Sequence, residues 1–426
     1  MKKFTLMLAM SCMTAVLAAE TPTVTSVWEF TTANATLPAF FGTGNGCRSV
    51  GFGTFESEKV IAVPTRTLAS PAVILLKASD GKEKVRLNMT GVSGGTFAIN
   101  DAGFSTDGKI LVCNMVNTAN SVFKVYRWDN STAAPSVALE YTMTEAAYRY
   151  GDLFNVTGSI TDGTAKIYAS SFGAIAGTRN ILRFSMIADT NNSGSFKFNP
   201  VPEVFLITIP YASGSTASLA FLPNGTFAYK CPGDRVRKVN ASMVATGDTL
   251  PVKTVSTFTT TPNYVTTVGS SVYLALYNYG VGAELASIVK IENDDWLNAT
   301  YVLSTPSLGT TANGNGSGRV LADEDAGHLY LYVYGGNNGI AKYEIGGIIA
   351  GINQTESDYI QVINKHGFIT VKGVNPSSIE VYNILGQKIK TQINDNQVAI
   401  GDLKGVQIVL VKVDGQLVKT AKVLIN

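Results

Sequence analysis

The sequence predicts an all-β chain: a six-bladed β-propeller, with five or seven blades as the alternatives, followed by a small immunoglobulin-like β-sandwich. Three observations predict it. Of 426 residues 41 are Gly, 45% are hydrophobic and only 15% are charged, a balance that suits strands and turns better than amphipathic helices. Short alternating runs broken by Asp-Gly or Asn-Gly recur through residues 23–345. The turn glycines are spaced by 55 (Gly108 to Gly163), 62 (to Gly225), 44 (to Gly269) and 58 (to Gly327). Periods of that size, each holding three or four strands, describe a radial array of sheets.

Residues 1–19 read as a secretory signal peptide: Lys2 and Lys3 precede an apolar run from Phe4 to Leu17, and Leu17-Ala18-Ala19 supplies small residues for cleavage. The run is shorter than the roughly 20 residues of a membrane span, so no span is expected after cleavage. Loss of Lys2 and Lys3 takes the formal charge from +2 to 0, which argues against a nucleic-acid partner. Cys47, Cys113 and Cys231 then remain, enough for at most one disulfide, and Cys113 and Cys231 read as buried thiols in apolar strands.

The first strand, 24–31, alternates but has no unit of its own, and is expected to complete the last blade as its outer strand. Runs at 48–55, 58–63, 72–77 and 84–89 form the first unit, and the next two turn at Asp107-Gly108 and Asp162-Gly163. The clearest unit is 217–239, where Asn224-Gly225 between alternating runs predicts a type I′ hairpin. The fifth covers 263–294 and the sixth 318–345. Residues 346–360 read as a linker, and five short runs at 361–426 suit a small sandwich.

Within that last segment, Val381-Tyr382-Asn383-Ile384-Leu385-Gly386-Gln387-Lys388 resembles the V-Y-(D/N)-x-x-G-(Q/R)-x core of the C-terminal sorting domain of type IX secretion. Leu403 to Val411 resembles that family's L-x-x-G-x-Y-(I/V)-V-x-V stretch, with Gln407 at the usual Tyr, and Lys419 to Ile425 resembles its closing segment without the final Lys. The resemblance implies recognition by the type IX secretion machinery and a secreted or surface location outside the outer membrane of a Gram-negative bacterium. The alternative is a plain sandwich that spaces or stabilises the propeller. Residues 23–345 resemble, more loosely, secreted bacterial propellers, many without an assigned activity.

Metal and nucleophile chemistry is scarce. The two histidines, His328 and His366, fall in different predicted domains, and no HExxH or CxxC is present. Gly91-Val92-Ser93-Gly94-Gly95 fits G-x-S-x-G but lacks the strand-to-helix setting of a nucleophile elbow. No cofactor is expected; calcium is considered only at Asp323-Glu324-Asp325, which reads equally as a solvated acidic turn.

Propeller geometry gathers the segments leading into innermost strands and the loops between second and third strands at one mouth. These carry Arg48, Arg149, Tyr150, Asp152, Arg179, Asp234, Arg235, Tyr264, Arg319 and Asn337. Five arginines in a chain of low charge suit carboxylates or sulfates, and aromatic faces suit sugar rings. The expected function is non-catalytic binding of an extracellular glycan, anionic on this reading, or of a protein. Alternatives are a glycan-cleaving enzyme, with Asp152 and Asp234 as its carboxylate pair or Tyr150 or Tyr264 with Arg149 as lyase groups, and a structural surface component.

Overall fold

The structure, a computed structural model, describes residues 21–41, 46–66, 70–144, 148–172, 178–208, 217–230, 234–251, 259–280, 284–348, 361–365, 367–372, 375–393, 395–399, 401, 403–413 and 416–425. The chain divides into two compact units, Met1–Ile348 and Ile349–Asn426. The division falls inside the expected linker, of which 349–360 lie outside the described residues.

The first unit is a succession of antiparallel meanders. After β1 (Thr23–Thr31) comes the first sheet: β2 (Gly51–Phe55), β3 (Glu58–Thr65), β4 (Ala72–Lys77) and β5 (Glu83–Arg86). The second holds β6 (Phe97–Phe104), β7 (Ile110–Met115), β8 (Val122–Trp128) and β9 (Ser136–Thr142). The third holds β10 (Phe154–Thr157), β11 (Lys166–Ser170) and a long β12 (Thr178–Ala188), whose two halves pair with β14 (Glu203–Thr208) and β13 (Phe196–Phe198). The fourth holds β15 (Ser218–Phe221), β16 (Phe227–Lys230), β17 (Arg237–Val239) and β18 (Ala245–Thr249). The fifth holds β19 (Thr259–Val268), β20 (Ser271–Asn278), β21 (Leu285–Glu292) and β22 (Thr300–Ser304). The sixth holds β23 (Gly318–Asp325), β24 (His328–Gly335), β25 (Gly339–Gly346) and, as its outer strand, β1. The pattern is all-β and propeller-like.

The cores lie between sheets. A strand presents successive side chains to opposite faces, and in inner strands such as β3, β4 and β7 both faces are buried. In the first sheet Val60, Ala62, Val73 and Leu75 face Ile110, Val112 and Trp128 of the second. Their neighbours Ile61, Val63, Ile74 and Leu76 face Tyr332, Tyr334 and Ile340 of the sixth. Leu111, Cys113, Phe123 and Val125 of the second sheet face Ile167, Leu182 and Phe184 of the third. Tyr168 and Ile181 turn to Leu219 and Tyr229 of the fourth, and Ala220 and Ala228 turn to Leu274 and Val289 of the fifth. Unbroken apolar runs such as Val73 to Leu76 follow from this two-sided burial. The innermost strands come too close for side chains in places: a Cβ on Gly53 would lie 2.5 Å from the Phe104 ring.

β1 closes the sixth sheet, pairing antiparallel with β25 from Thr23↔Gly346 to Thr31↔Gly339. A bulge between Ser26 and Trp28 resets the alternation. It leaves Val27 exposed while Trp28 and Phe30 pack inward, which accounts for their irregular spacing in the sequence. The Trp28 indole donates to Ala78 O at 3.2 Å and its ring lies against Tyr332. One side chain thereby joins the first and sixth sheets.

The Asn224-Gly225 hairpin differs from the expected type I′. Only Gly225 has positive φ, 79°, and its amide donates to Leu222 O at 3.0 Å. Pro223 is the reason: its ring fixes a negative φ at the first central position, giving a type I turn with glycine in the left-handed position after it. Ser105 to Lys109 builds the same turn, with Gly108 donating to Ser105 O at 3.0 Å. Its Asp107 reaches the next sheet and accepts from the amides of Ile160 and Thr161, both at 3.0 Å, and from the Thr161 hydroxyl at 2.6 Å. Burial pushes that carboxyl up, but hydrogen bonds from Ser105, Thr161 and the two amides prevail and hold it at about 2.

Two cysteines, Cys47 and Cys113, are buried free thiols; Cys231 and His366 lie outside the described residues. The Asp323-Glu324-Asp325 carboxylates sit at the β23–β24 hairpin, where Lys59 of the first sheet pairs with Asp323 at 2.8 Å and Asp325 at 3.3 Å.

The second unit has β26 (Gln361–Lys365), β27 (Phe368–Lys372) and β30 (Gln397–Ala399) in one sheet. β28 (Ser378–Tyr382), β29 (Lys388–Ile393), β31 (Gly405–Val413) and β32 (Gln416–Ile425) form the other. Ile369, Val371 and Val398 of the first share a core with Ile379, Val381, Val409, Val411 and Val423 of the second. Gln407 points inward and donates to Lys404 O at 2.9 Å.

Two expectations follow. Trp28→Ala should destabilise the first unit by about 3 kcal/mol, the scale for removing a large packed aromatic, measured by chemical denaturation. The depressed Asp107 carboxyl contributes stability above the ordinary value near 4 that is lost as pH falls toward about 2. Asp107→Asn should therefore lower the melting temperature at pH 7 and narrow the gap between parent and variant at pH 2.

Candidate functional site

Segments leading into the innermost strands converge at one end of the first unit. A bridge between Cys47 and Thr65 ties the approach to β2 against the end of β3, so Arg48 and Arg66 stand at the same end of the first sheet. Bridges from Tyr150 to Val116 and from Arg149 to Phe172 seat the approach to β10 between the second and third sheets. Gly151 follows with φ 102°, and a Cβ there would lie 2.0 Å from Asn114 O, so only glycine fits.

Asp152 is the carboxylate at the centre of this group. Arg149 Nε donates to its Oδ2 at 2.5 Å, Asn100 Nδ2 lies 3.4 Å from Oδ1, and Arg48 Nη2 is 3.7 Å from Oδ1. Asn100 also donates to Gly151 O at 2.7 Å and accepts from Arg66 Nη1 at 2.7 Å. Two guanidiniums lie over aromatic rings, Arg66 on Phe97 at 3.7 Å and Arg149 on Phe172 at 3.8 Å. Burial, with the like charge of Arg48 next, lowers Arg66 to about 10, which leaves it charged at neutral pH.

Beside this group, Arg319 of β23 binds Asp101 of β6 through Nη1, at 2.8 and 3.1 Å to the two carboxylate oxygens. The same nitrogen donates to Ser49 Oγ at 3.1 Å, and Nη2 donates to Phe154 O at 3.1 Å. Asp101 also accepts from the amides of Ala102 at 2.7 Å and Phe154 at 2.9 Å. It is fully buried; burial pushes its carboxyl up, and Arg319, Ser49 and the two amides oppose the shift. The described cluster holds four guanidiniums (Arg48, Arg66, Arg149, Arg319) against two carboxylates (Asp101, Asp152), a formal excess of two positive charges.

Of the residues expected at the mouth, Arg48, Arg149, Asp152 and Arg319 are brought together here. Tyr150 is instead fully buried, packed with Phe123 and Tyr148 in the core between the second and third sheets. Asp234 belongs to the fourth sheet, where Arg237 clasps it at 2.6 and 2.9 Å, and Arg235 is exposed beside it. Tyr264 packs half-buried against the core of the fourth and fifth sheets and bonds Thr267 Oγ1 at 3.1 Å. Asn337, at φ 65°, donates to Ala312 O at 2.9 Å and braces the loop before β23. Arg179 pairs with Ile207 in strand register, and its side chain lies outside the described residues.

Arg66, Asn100 and Asp101 were not anticipated. The available signal was Asn100-Asp101 itself, two polar residues in the middle of an apolar strand, which need internal partners if that strand is buried. A second buried carboxyl, Glu284, accepts from Tyr277 OH, from Asn313 Nδ2 at 3.1 Å and from Gly280 N at 3.4 Å. Burial pushes it up. The Tyr277 ring lies against Gly318, so the group joins the fifth and sixth sheets.

Arg319→Met would strand the buried Asp101 carboxylate and should destabilise the first unit by roughly 3–5 kcal/mol. Asp101→Asn added to it should recover a substantial part of that loss in the same denaturation assay.

No protein of curated function matches the chain. A DUF4623 family protein from Bacteroides eggerthii DSM 20697 matches with 20% identity and a TM-score of 0.58, over 77% of this chain and 75% of that one. The Dos1 propeller matches with 14% identity and a TM-score of 0.38, over 68% and 76% of the two chains. The GH43_1 enzyme from Xanthomonas citri, complexed with xylose, matches with 12% identity and a TM-score of 0.36, over 73% and 90%. Of these three, the first speaks for the fold. The sequence profile described as "Domain of unknown function (DUF4623)" matches residues 7–283, nearly two thirds of the chain, and the protein belongs to that family.

Proposed function

We propose that the first unit is a six-bladed propeller that binds an acidic extracellular glycan, without cleaving it, at the arginine-rich end of its innermost strands. The observation that carries the reading is the excess of two positive charges where Arg48, Arg66, Arg149 and Arg319 surround Asp152 and Asp101. Guanidinium forks match the oxygens of carboxylates and sulfate esters, and a partly buried positive cluster concentrates anions from solution. Both nominated carboxylates are already engaged, Asp152 by Arg149 and Asp234 by Arg237. That engagement favours a binder over a hydrolase. No cofactor is part of the proposal.

The second unit is proposed to be an immunoglobulin-like module of the type IX sorting kind, so that the protein is secreted through that machinery or held on the outer surface of a Gram-negative cell. Two sheets around one core and the Val381–Lys388 hairpin support the reading.

A glycan array probed with the protein should give binding to uronate-containing or sulfated glycans. The signal should weaken as salt rises from about 0.05 to 0.5 M, because screening shortens the reach of the cluster. Binding confined to neutral glycans, or to none, overturns the acidic-glycan reading and leaves a protein partner. Release of shorter saccharides from a bound glycan overturns the non-catalytic part.

A further inference from the structure

The four arginines of the cluster differ in what they already hold. Arg319 is spent on Asp101, Ser49 and Phe154 O. Arg149 is spent on Asp152, with one face on Phe172. Arg66 donates to Asn100 and lies on Phe97. Arg48 stands apart. Its side chain is only 12% exposed, yet among the described residues its one ion-pair partner is Asp152 Oδ1 at 3.7 Å, beyond hydrogen-bond reach, and its guanidinium donates no hydrogen bond to them. Arg66 adds a like charge close enough to be felt. A guanidinium that spends none of its donors on the described protein keeps them open to a ligand, and its five donors form a fork shaped for oxyanions.

We infer that Arg48 is the residue that receives the ligand's acidic group, a singly charged oxyanion, while Arg149 and Arg319 are positioning residues that fix Asp152 and Asp101 around it. This rests on the acidic-glycan reading for the ligand's identity, but not for the oxyanion site itself. An oxyanion seated on Arg48 completes its hydrogen bonds and offsets the repulsion from Arg66. Arg48→Met then keeps the packed stem and leaves Asp152 held by Arg149, whereas a bracing arginine cannot be lost without stranding its carboxylate.

The test is thermal unfolding of the full chain and its Arg48→Met and Arg319→Met variants. Each is measured in sodium chloride, sodium acetate or sodium galacturonate at equal ionic strength. Acetate and galacturonate should both raise the parent's melting temperature above its value in chloride. That rise should vanish in Arg48→Met, whose melting temperature in chloride should equal or exceed the parent's. Arg319→Met should melt lower in every salt. Galacturonate affinity by calorimetry should fall roughly tenfold or more in Arg48→Met, as for loss of a charge-assisted fork. If Arg48→Met melts as low as Arg319→Met, Arg48 is a brace and the inference falls. If neither anion shifts the parent, the oxyanion site does not exist. If acetate stabilises through Arg48 while no acidic saccharide binds, the inference stands and the glycan reading falls.

Discussion

A carboxylate with no access to water must find its full complement of donors inside the protein. Asp101 does so by drawing on three other sheets: Arg319 from the sixth, Phe154 N from the third and, through the shared guanidinium, Ser49 from the first. Four innermost segments are therefore located by one buried charge pair. The gain is geometric more than energetic, since a buried ion pair roughly breaks even against apolar packing. What it supplies is a fixed origin, from which Arg48, Arg149 and Asp152 take their places a few residues away.

Around that origin the sheets hold together by two-sided burial. Strands β3 and β4 of the first sheet feed alternate side chains to two different cores, one shared with the second sheet and one with the sixth. A sheet made this way is unfinished alone, because its second face needs a neighbour. The demand passes from sheet to sheet until the sixth meets the first, and Trp28 marks that junction by bonding one sheet from the edge of the other.

Much of the architecture was legible because its causes are local. Alternation, turn glycines and the unattached first strand gave the meanders and the role of Thr23–Thr31. The turn at Pro223 departs from the Asn224-Gly225 signal because the proline before that dipeptide fixes the backbone first. Parts of the candidate site were legible for a similar local reason: Arg48, Arg149 and Arg319 precede or open innermost strands. Asp101 and Arg66 were hidden because their meaning lies in distant partners; Arg319 is 218 positions from Asp101. Tyr150 sits beside Arg149 in sequence, but the strand-like bridge at 149–150 points the two side chains opposite ways, one to Asp152 and one into the core.

The closure at β1 also sets an order of events during synthesis. Thr23 pairs with Gly346, so β1 has no partner until almost the whole first unit exists. Until then the pairing edge of β1, with Trp28 and Phe30, waits unsatisfied, and the five earlier sheets can assemble only as an open arc. The β1–β25 pairing therefore joins the two ends of the first unit, a non-local contact whose loop-closure entropy weighs on how soon the chain can make it.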